Sequence, residues 1–250
     1  MKLGKKNKSV GAYDNYIFDL YGTLVDIHTD ETKKGLWEKM AMYYCMHGAS
    51  YNSKELREKY IELCDRQTKM MPGPDEEVEI NLDNVFRRLY EDKLIAPSDE
   101  LISDTMLMFR TLSTKYIRLY PKTLKMLEEL NKRGKNVYLL SNAQASFTIP
   151  EMKMLGIYSS FKKIYISSVM GYKKPSKSFF DKLIKEEQLD VNRTLMIGND
   201  LDSDIKGAKE FSIDTLFIKS NISPKKDSVI NDVALYSCPM KKAYKKLLEL

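Results

Sequence analysis

Five short runs rich in β-branched and aromatic residues constrain this chain most: "NYIFDL", "NVYLLSN", "KKIYISS", "TLMIGND" and "DTLFIKS". Amphipathic helical stretches separate most of the last four, and strands alternating with helices predict a parallel sheet with helices on its faces. Between the first and second runs the pattern changes. From Leu24 to roughly Lys115 only helices are predicted, in "ETKKGLWEKMAMYYCMHG", "SKELREKYIELCDRQTKM", "LDNVFRRLYEDKL" and "SDELISDTMLMFRTLS", each with apolar residues at i, i+3, i+4 spacing. The stretch "MPGPDEE" from Met71 cannot continue a helix, and "RLYPKTLKMLEELNKRGK" returns to the sheet with Pro121 at a helix start and Gly134 at its end. The expected fold is α/β: a Rossmann-like parallel sheet of about five strands, built from residues 13–25 and 116–237 and interrupted by an all-helical cap over 26–115. Residues 1–12 read as a basic flexible tail and 238–250 as a C-terminal helix.

With 43% hydrophobic residues among 250, the chain has the apolar content for a buried core. Its net charge of +6 would suit a nucleic-acid partner if it lay on one face, but it sits at the ends. The first twelve residues carry +4 and residues 225–250 carry +3, so the 212 residues between them sum to −1. Solvated lysine tails are expected, not a nucleic-acid groove. No stretch reaches the roughly 18 consecutive apolar residues of a membrane span, and no apolar run follows the lysines of "MKLGKKNKSVGAY" as a signal peptide requires. Cys45, Cys64 and Cys238 lie far apart with no CxxC pair, which suits reduced, mostly buried thiols rather than a zinc site or a disulfide framework. A cytoplasmic globular protein is the expectation.

In open parallel sheets ligands bind outside the carboxyl ends of the strands, so the chemistry is sought there. The first strand delivers Asp19, the second Ser141 and Asn142, the segment after the third Lys174 ahead of Pro175, and the fourth Asn199, Asp200 and, one helical turn on, Asp204. Taken singly each has a structural explanation: Asp19 as a turn cap, Ser141 as a helix start, Lys174 as surface charge, Asp204 as an acid at a helix N-terminus. Taken together, in this order, they form a pattern.

The motifs "FDLYGTL", "YLLSNA", "YKKPSKSFF" and "IGNDLDSD" resemble those of the haloacid dehalogenase-like hydrolase superfamily: an apolar strand then DxDGT, a strand ending in Ser or Thr, a Lys often followed by Pro, and an acidic pair. The resemblance runs from Asn15 to about Ser220, with the helical insert where the family's commonest type of cap lies. It implies Asp19 as nucleophile, and Ser141, Asn142 and Lys174 as the group that binds the transferring phosphoryl. It also implies Asp204 as the second acid of the pair, and Mg²⁺ held by Asp19, the backbone carbonyl of Tyr21 and Asp200, with Asn199 as a neighbour. The implied substrate is a small phosphorylated metabolite. The chemistry agrees, because a phosphoryl group needs an in-line nucleophile and positive charge on its oxygens. Asp19 can form an aspartyl-phosphate, and a cluster of Asp19, Asp200 and Asp204 would be costly without a hard cation.

Tyr21 departs from the pattern. The family's phosphatases carry there an acid that protonates the leaving alkoxide and then activates water, whereas a phenol, with a pKa of about 10 against about 4, donates but is a poor base. A tyrosine at this place is also what the superfamily's 2-haloacid dehalogenases carry, and halide leaves without a proton. Dehalogenation is therefore the alternative to phosphate-ester hydrolysis, and a weakly catalytic phosphate-binding protein is a third reading; the acids at Asp200 and Asp204 favour the phosphatase. His28 reads as a surface or hinge residue, and His47 and Trp37 as packing inside the cap. "GKKNKSVG" at Gly4 is not a P-loop, because its Lys and Ser are misplaced and no strand precedes it. A nucleophile under a lid predicts a cap that moves on hinges near Asp26 and Lys115.

Overall fold

The computed structural model describes residues 13–74, 77–224 and 238–239. Strand β1 (Asn15–Phe18) is buried along its whole length. Strand β2 (Val25–Thr29) leads into the cap helices α1 (Lys34–Met46), α2 (Ser53–Met70), α3 (Leu82–Glu91) and α4 (Asp99–Ser113), and β3 (Thr114–Leu119) leads out. The core resumes with α5 (Thr123–Lys132), β4 (Asn136–Ser141), α6 (Ala145–Met154), β5 (Lys163–Ile166), the single turn α7 (Ser167–Met170) and α8 (Lys177–Glu186). It continues through β6 (Thr194–Gly198), α9 (Lys206–Glu210), β7 (Asp214–Lys219) and the short β8 (Cys238–Pro239).

The sheet has the order β5-β4-β1-β6-β7-β8, with every pair parallel. β1 therefore lies between β4 and β6, whose onward connections open a crevice at their carboxyl ends. Phe18 stands opposite Leu139 on one side and Ile197 on the other, which brings Asp19, Ser141 and Asn199 to one end of three adjacent strands. Alternation along the strands divides the core. Tyr16, Phe18, Leu139 and Ile197 pack with Met126, Leu130 and Met152 of α5 and α6, while Ile17, Tyr138, Leu140 and Met196 pack with Phe179, Phe180 and Leu183 of α8.

Helices α2, α3 and α4 start where the sequence supplies caps: Asn52, Asn81 and Ser98 each accept a backbone N–H of the first turn. Their apolar faces, with that of α1, enclose Trp37, Met40, Tyr44, Phe86, Tyr90 and Phe109. Phe147 of core helix α6 completes this cluster, so cap and core share a hydrophobic contact that contributes about 1.5–3 kcal/mol to docking. Trp37 is buried as expected, whereas His47 and Cys45 are exposed, since both lie on the solvent side of α1's last turn. His28 is exposed on β2, its ring 5.8 Å from that of Tyr116.

Two features differ from the expected layout. Cys238–Pro239 pairs with Ile218–Lys219 as a sixth strand where a helix was expected to begin; the rest of 225–250 and the basic tail 1–12 lie outside the described residues. The cap also joins the core through a paired ribbon. β2 and β3 run antiparallel, from Val25 opposite Leu119 to Thr29 opposite Thr114, across the places expected as hinges. Asp26, buried in this ribbon, pairs with Arg118 at 2.8 Å and accepts from Asn221 at 2.8 Å. Among the described residues no helix is long and apolar enough to cross a membrane.

Candidate active site

Asp19 leaves the sheet at the end of β1 with its N–H still bonded to Ile197 O at 2.9 Å, so the backbone fixes its direction. Its Oδ1 accepts from Lys174 Nζ at 2.8 Å, and the same ammonium lies 2.7 Å from Asp204 Oδ1 and 2.7 Å from Leu140 O. The contacts with Asp19 and Leu140 are hydrogen bonds, whereas Asp204 Oδ1 meets the ammonium as an ion pair and has no hydrogen-bond partner. Lys174 is 2% exposed; burial alone would lower its pKa, but the two carboxylates outweigh that and hold it above the usual lysine value. Burial pushes Asp204 up to about 7, with the charge of Asp19 acting in the same direction and Lys174 opposing it. Asp204 Oδ2 also accepts the N–H groups of Asn199 and Asp200 at 3.0 and 3.1 Å. This fold-back needs Gly198, where an added Cβ would stand 2.2 Å from Asp204 Oδ2.

The expected cluster of Asp19, Asp200 and Asp204 does not form. Among the described residues no three His, Cys, Asp or Glu side chains are grouped to hold a metal ion. Lys174 stands between Asp19 and Asp204, and Asp200 spends Oδ1 on the N–H of Asp202 at 2.9 Å, capping the wide turn Leu201–Ile205. The neighbour reaches the nucleophile instead. One end of the Asn199 amide lies 3.1 Å from Asp19 Oδ2, 3.1 Å from Tyr21 O and 3.2 Å from Thr23 Oγ1. Thr23 donates to Asp19 Oδ2 at 3.1 Å, a contact sequence reasoning missed although Thr23 sits in the first motif. Gly22 makes room for the amide: its φ is +89°, and a Cβ there would fall 2.2 Å from the Asn199 side chain.

Ser141 Oγ is buried at the end of β4 and has no hydrogen-bond partner in the protein. Asn142, expected to contact substrate, is committed to the backbone of Lys174: Nδ2 donates to Lys174 O at 3.0 Å and Oδ1 accepts from Lys174 N at 2.7 Å. Its side chain thus holds the lysine in place.

Tyr21 is turned towards the cap seam. Its hydroxyl donates to Glu151 and lies 3.1 Å from Thr148 Oγ1, both on α6. Burial raises the phenol's pKa above its ordinary value, reinforced by the charge of Glu151 and opposed by that of Arg110. Glu151 in turn accepts Arg110 Nε at 2.5 Å, and the Arg110 guanidinium, from cap helix α4, lies over the rings of Tyr21 and Phe147 at 5.6 and 5.1 Å. Sequence reasoning missed Arg110 and Glu151, which lie far apart in the chain and outside every motif.

This strand-end set of Asp19, Ser141 and Lys174 goes with helices α1–α4 inserted after the first strand, and both belong to a known class of fold. A family model for haloacid dehalogenase-like hydrolases matches residues 13–212, and the chain belongs to that family. Glyceraldehyde 3-phosphate phosphatase of Methanothermobacter thermautotrophicus is 23% identical over 143 residues; the match covers 57% of this chain and spans 63% of that relative. The enzyme of the same name from Pyrococcus abyssi is 25% identical over 204 residues, covering 81% of this chain and 79% of its own. The fold is shared with the crystal structure of 2-haloacid dehalogenase from Pseudomonas syringae pv. Tomato, at a TM-score of 0.64, 18% identity, and coverage of 95% of this chain and 99% of that one.

Proposed function

We propose that the protein hydrolyses phosphate monoesters of small metabolites, with Asp19 as nucleophile and Mg²⁺ as cofactor. The observation that carries this reading is the pairing of a lysine-held carboxylate with a fully buried Ser141 hydroxyl that has no protein partner. An unpaired buried hydroxyl costs about 1–3 kcal/mol, which a phosphoryl oxygen bound there would recover. In this reading Asp19 Oδ1, 2.8 Å from Lys174 Nζ, is the attacking oxygen. It forms a bond to phosphorus as the ester P–O bond breaks and the alkoxide leaves, taking a proton from water. Water then attacks phosphorus, releasing phosphate and the Asp19 carboxylate. Lys174 must loosen one of its three contacts to follow the phosphoryl oxygens, and Asn142 keeps its backbone still meanwhile. The donors also fit the cation: Asp19 Oδ2 and Tyr21 O are hard oxygens that share one neighbour, Asn199, at 3.1 Å each. When bound, Mg²⁺ would offset negative charge on the phosphoryl oxygens. The names of the curated relatives support phosphate esters as the substrate class.

The test is hydrolysis of p-nitrophenyl phosphate, whose leaving group needs no proton. Asp19→Asn is expected to lower kcat by at least about 10⁴-fold, and excess chelator to abolish turnover. Unimpaired activity in either case would sink the reading. Tyr21 and the uncharged Asn199 beside the nucleophile favour one second reading, dehalogenation of a 2-haloacid. Chloride release from 2-chloropropionate without hydrolysis of phosphate esters would establish it instead.

A further inference from the structure

A cavity away from the strand ends lies along the seam between cap and core. It is bounded by cap helix α4, ribbon strand β3 and core helix α6, encloses about 460 Å³, and is lined by none of Asp19, Ser141, Lys174 or Asn199. That volume is in the ~300–1,000 Å³ range of small-molecule sites. Much of the lining is apolar, from Leu107, Ile117, Phe147, Pro150 and Met154, and of these Leu107 and Met154 are exposed. Apolar surface is thus left in water here. Three charged side chains complete the lining, and two of them satisfy each other: Glu151 pairs with Arg110 at 2.5 Å and also accepts from Tyr21. The third, Lys115, is exposed, and among the described residues no carboxylate pairs with it.

We infer that this cavity is a binding site for a small amphipathic anion, a carboxylate on an aliphatic body, which touches cap and core together and holds the cap docked. The inference stands apart from the reaction at Asp19. Arg110 and Lys115 against Glu151 leave one net positive charge in the lining, and with Arg110 neutralised by Glu151 that charge resides on Lys115. Charge therefore selects an anionic head. Lys115 and Ile117 stand two residues apart on β3, on one side of the ribbon, so a carboxylate at Lys115 lets the body lie along Ile117 towards Phe147 and Met154 of α6. Burial of that body supplies the affinity. Because α4 and β3 belong to the cap side and α6 to the core, the ligand binds the docked arrangement better than a displaced one and shifts the population towards it.

Calorimetric titration of the full chain with sodium octanoate, in parallel with neutral octanol, tests this. Octanoate is expected to bind at one site at least about tenfold tighter than octanol, and Lys115→Met to remove the difference by weakening octanoate about tenfold. Thr111→Trp, at an exposed position of the lining, should fill the cavity and abolish binding. In the methionine methyl spectrum octanoate should shift Met154 while Met46 and Met70, exposed outside this lining, stay in place. Hydrogen exchange in α4 and α6 should slow by at least about threefold at saturation. Octanol binding as tightly as octanoate, binding that leaves Met154 unmoved, or no saturable binding of octanoate overturns the inference. So does a dimer in sedimentation velocity that buries Met154 and that octanoate leaves intact, since the groove would then belong to a second copy of the chain. Lys115 is exposed and unpaired among the described residues, so its variant decides the question of charge even if Thr111→Trp does not fold.

Discussion

Two buried charge clusters lie close to the first motif, and they are built from similar parts to opposite ends. At the strand ends Lys174 joins Asp19 and Asp204; at the seam between cap and core Arg110 joins Glu151, which receives the hydroxyl of Tyr21. The seam cluster is closed. Each of its polar groups has a partner, and the rings of Tyr21 and Phe147 cover the guanidinium. The strand-end cluster is left incomplete, with neither Ser141 Oγ nor Asp204 Oδ1 given a hydrogen-bond partner. A satisfied network rigidifies, whereas an unsatisfied one is completed by a ligand. The comparison also explains the phenol at position 21. Where the family's phosphatases carry an acid for the leaving group, this chain carries a side chain that fastens the motif loop to α6 and, through Glu151, to the cap.

The sharpest way to break the comparison is to remove the cation of each cluster in turn. Lys174→Met leaves two carboxylates buried beside each other, one 1% exposed, without compensation. Unfolding in urea is expected to show a loss of about 3–5 kcal/mol, because breaking a buried pair strands the remaining charge. A loss below about 1 kcal/mol would mean that water reaches the strand ends freely, and that the site is not the dry cluster described.

At the seam the effect is smaller, because Arg110 and Glu151 keep 15% and 11% of their side chains exposed and solvent moderates the pair. A double-mutant cycle of Arg110→Met and Glu151→Gln is expected to give a coupling of about 1–2 kcal/mol. Glu151→Gln still accepts from Tyr21. Hydrogen exchange should quicken in α4 and α6 in the single variants while β1 stays protected; equal quickening in β1 would show one cooperative unit instead of a core with a fastened cap.

The same comparison shows which parts were legible in the sequence. The strands and cap helices were, because period-2 and 3.6-residue patterns are local, and α2 (Ser53–Met70) spans the same residues as the predicted run "SKELREKYIELCDRQTKM". Asp19, Ser141 and Lys174 were legible because strand ends converge by topology. The β2–β3 ribbon was not: Val25–Thr29 is short, and its partner lies beyond four helices. The separate directions taken by Asn199 and Asp200 were not legible either. Adjacent residues leaving a strand point to opposite sides, and the wide turn after β6, invisible to spacing, sends Asn199 to Asp19 and Asp200 to Asp202. Arg110 and Glu151 meet only through the docking of the cap.

The least of the expected effects concerns a second fastening of the cap, at the loop that precedes Lys174. Val78 forms an antiparallel bridge with Tyr172, Glu79 N donates to Gly171 O at 3.0 Å, and Lys173 N to Glu77 O at 2.8 Å. Between them Glu79 Oε2 accepts from Ser167 Oγ at 2.9 Å. Burial pushes the Glu79 carboxyl above the usual glutamate value, against the Ser167 hydrogen bond and the charge of Lys173. A folded-state pKa above the unfolded one means that the folded protein holds the extra proton. The corresponding stability is fully present below the ordinary value near 4.5 and is lost as pH rises through the folded value. Glu79→Gln removes that loss while keeping an oxygen for Ser167. Relative to wild type the variant should therefore gain stability between about pH 4 and pH 7.5, by something under about 1 kcal/mol, in urea unfolding at the two pH values. Parallel behaviour of the two proteins would show that Glu79 ionises as it does in water, so that this seam, unlike the one at Arg110, is open to solvent.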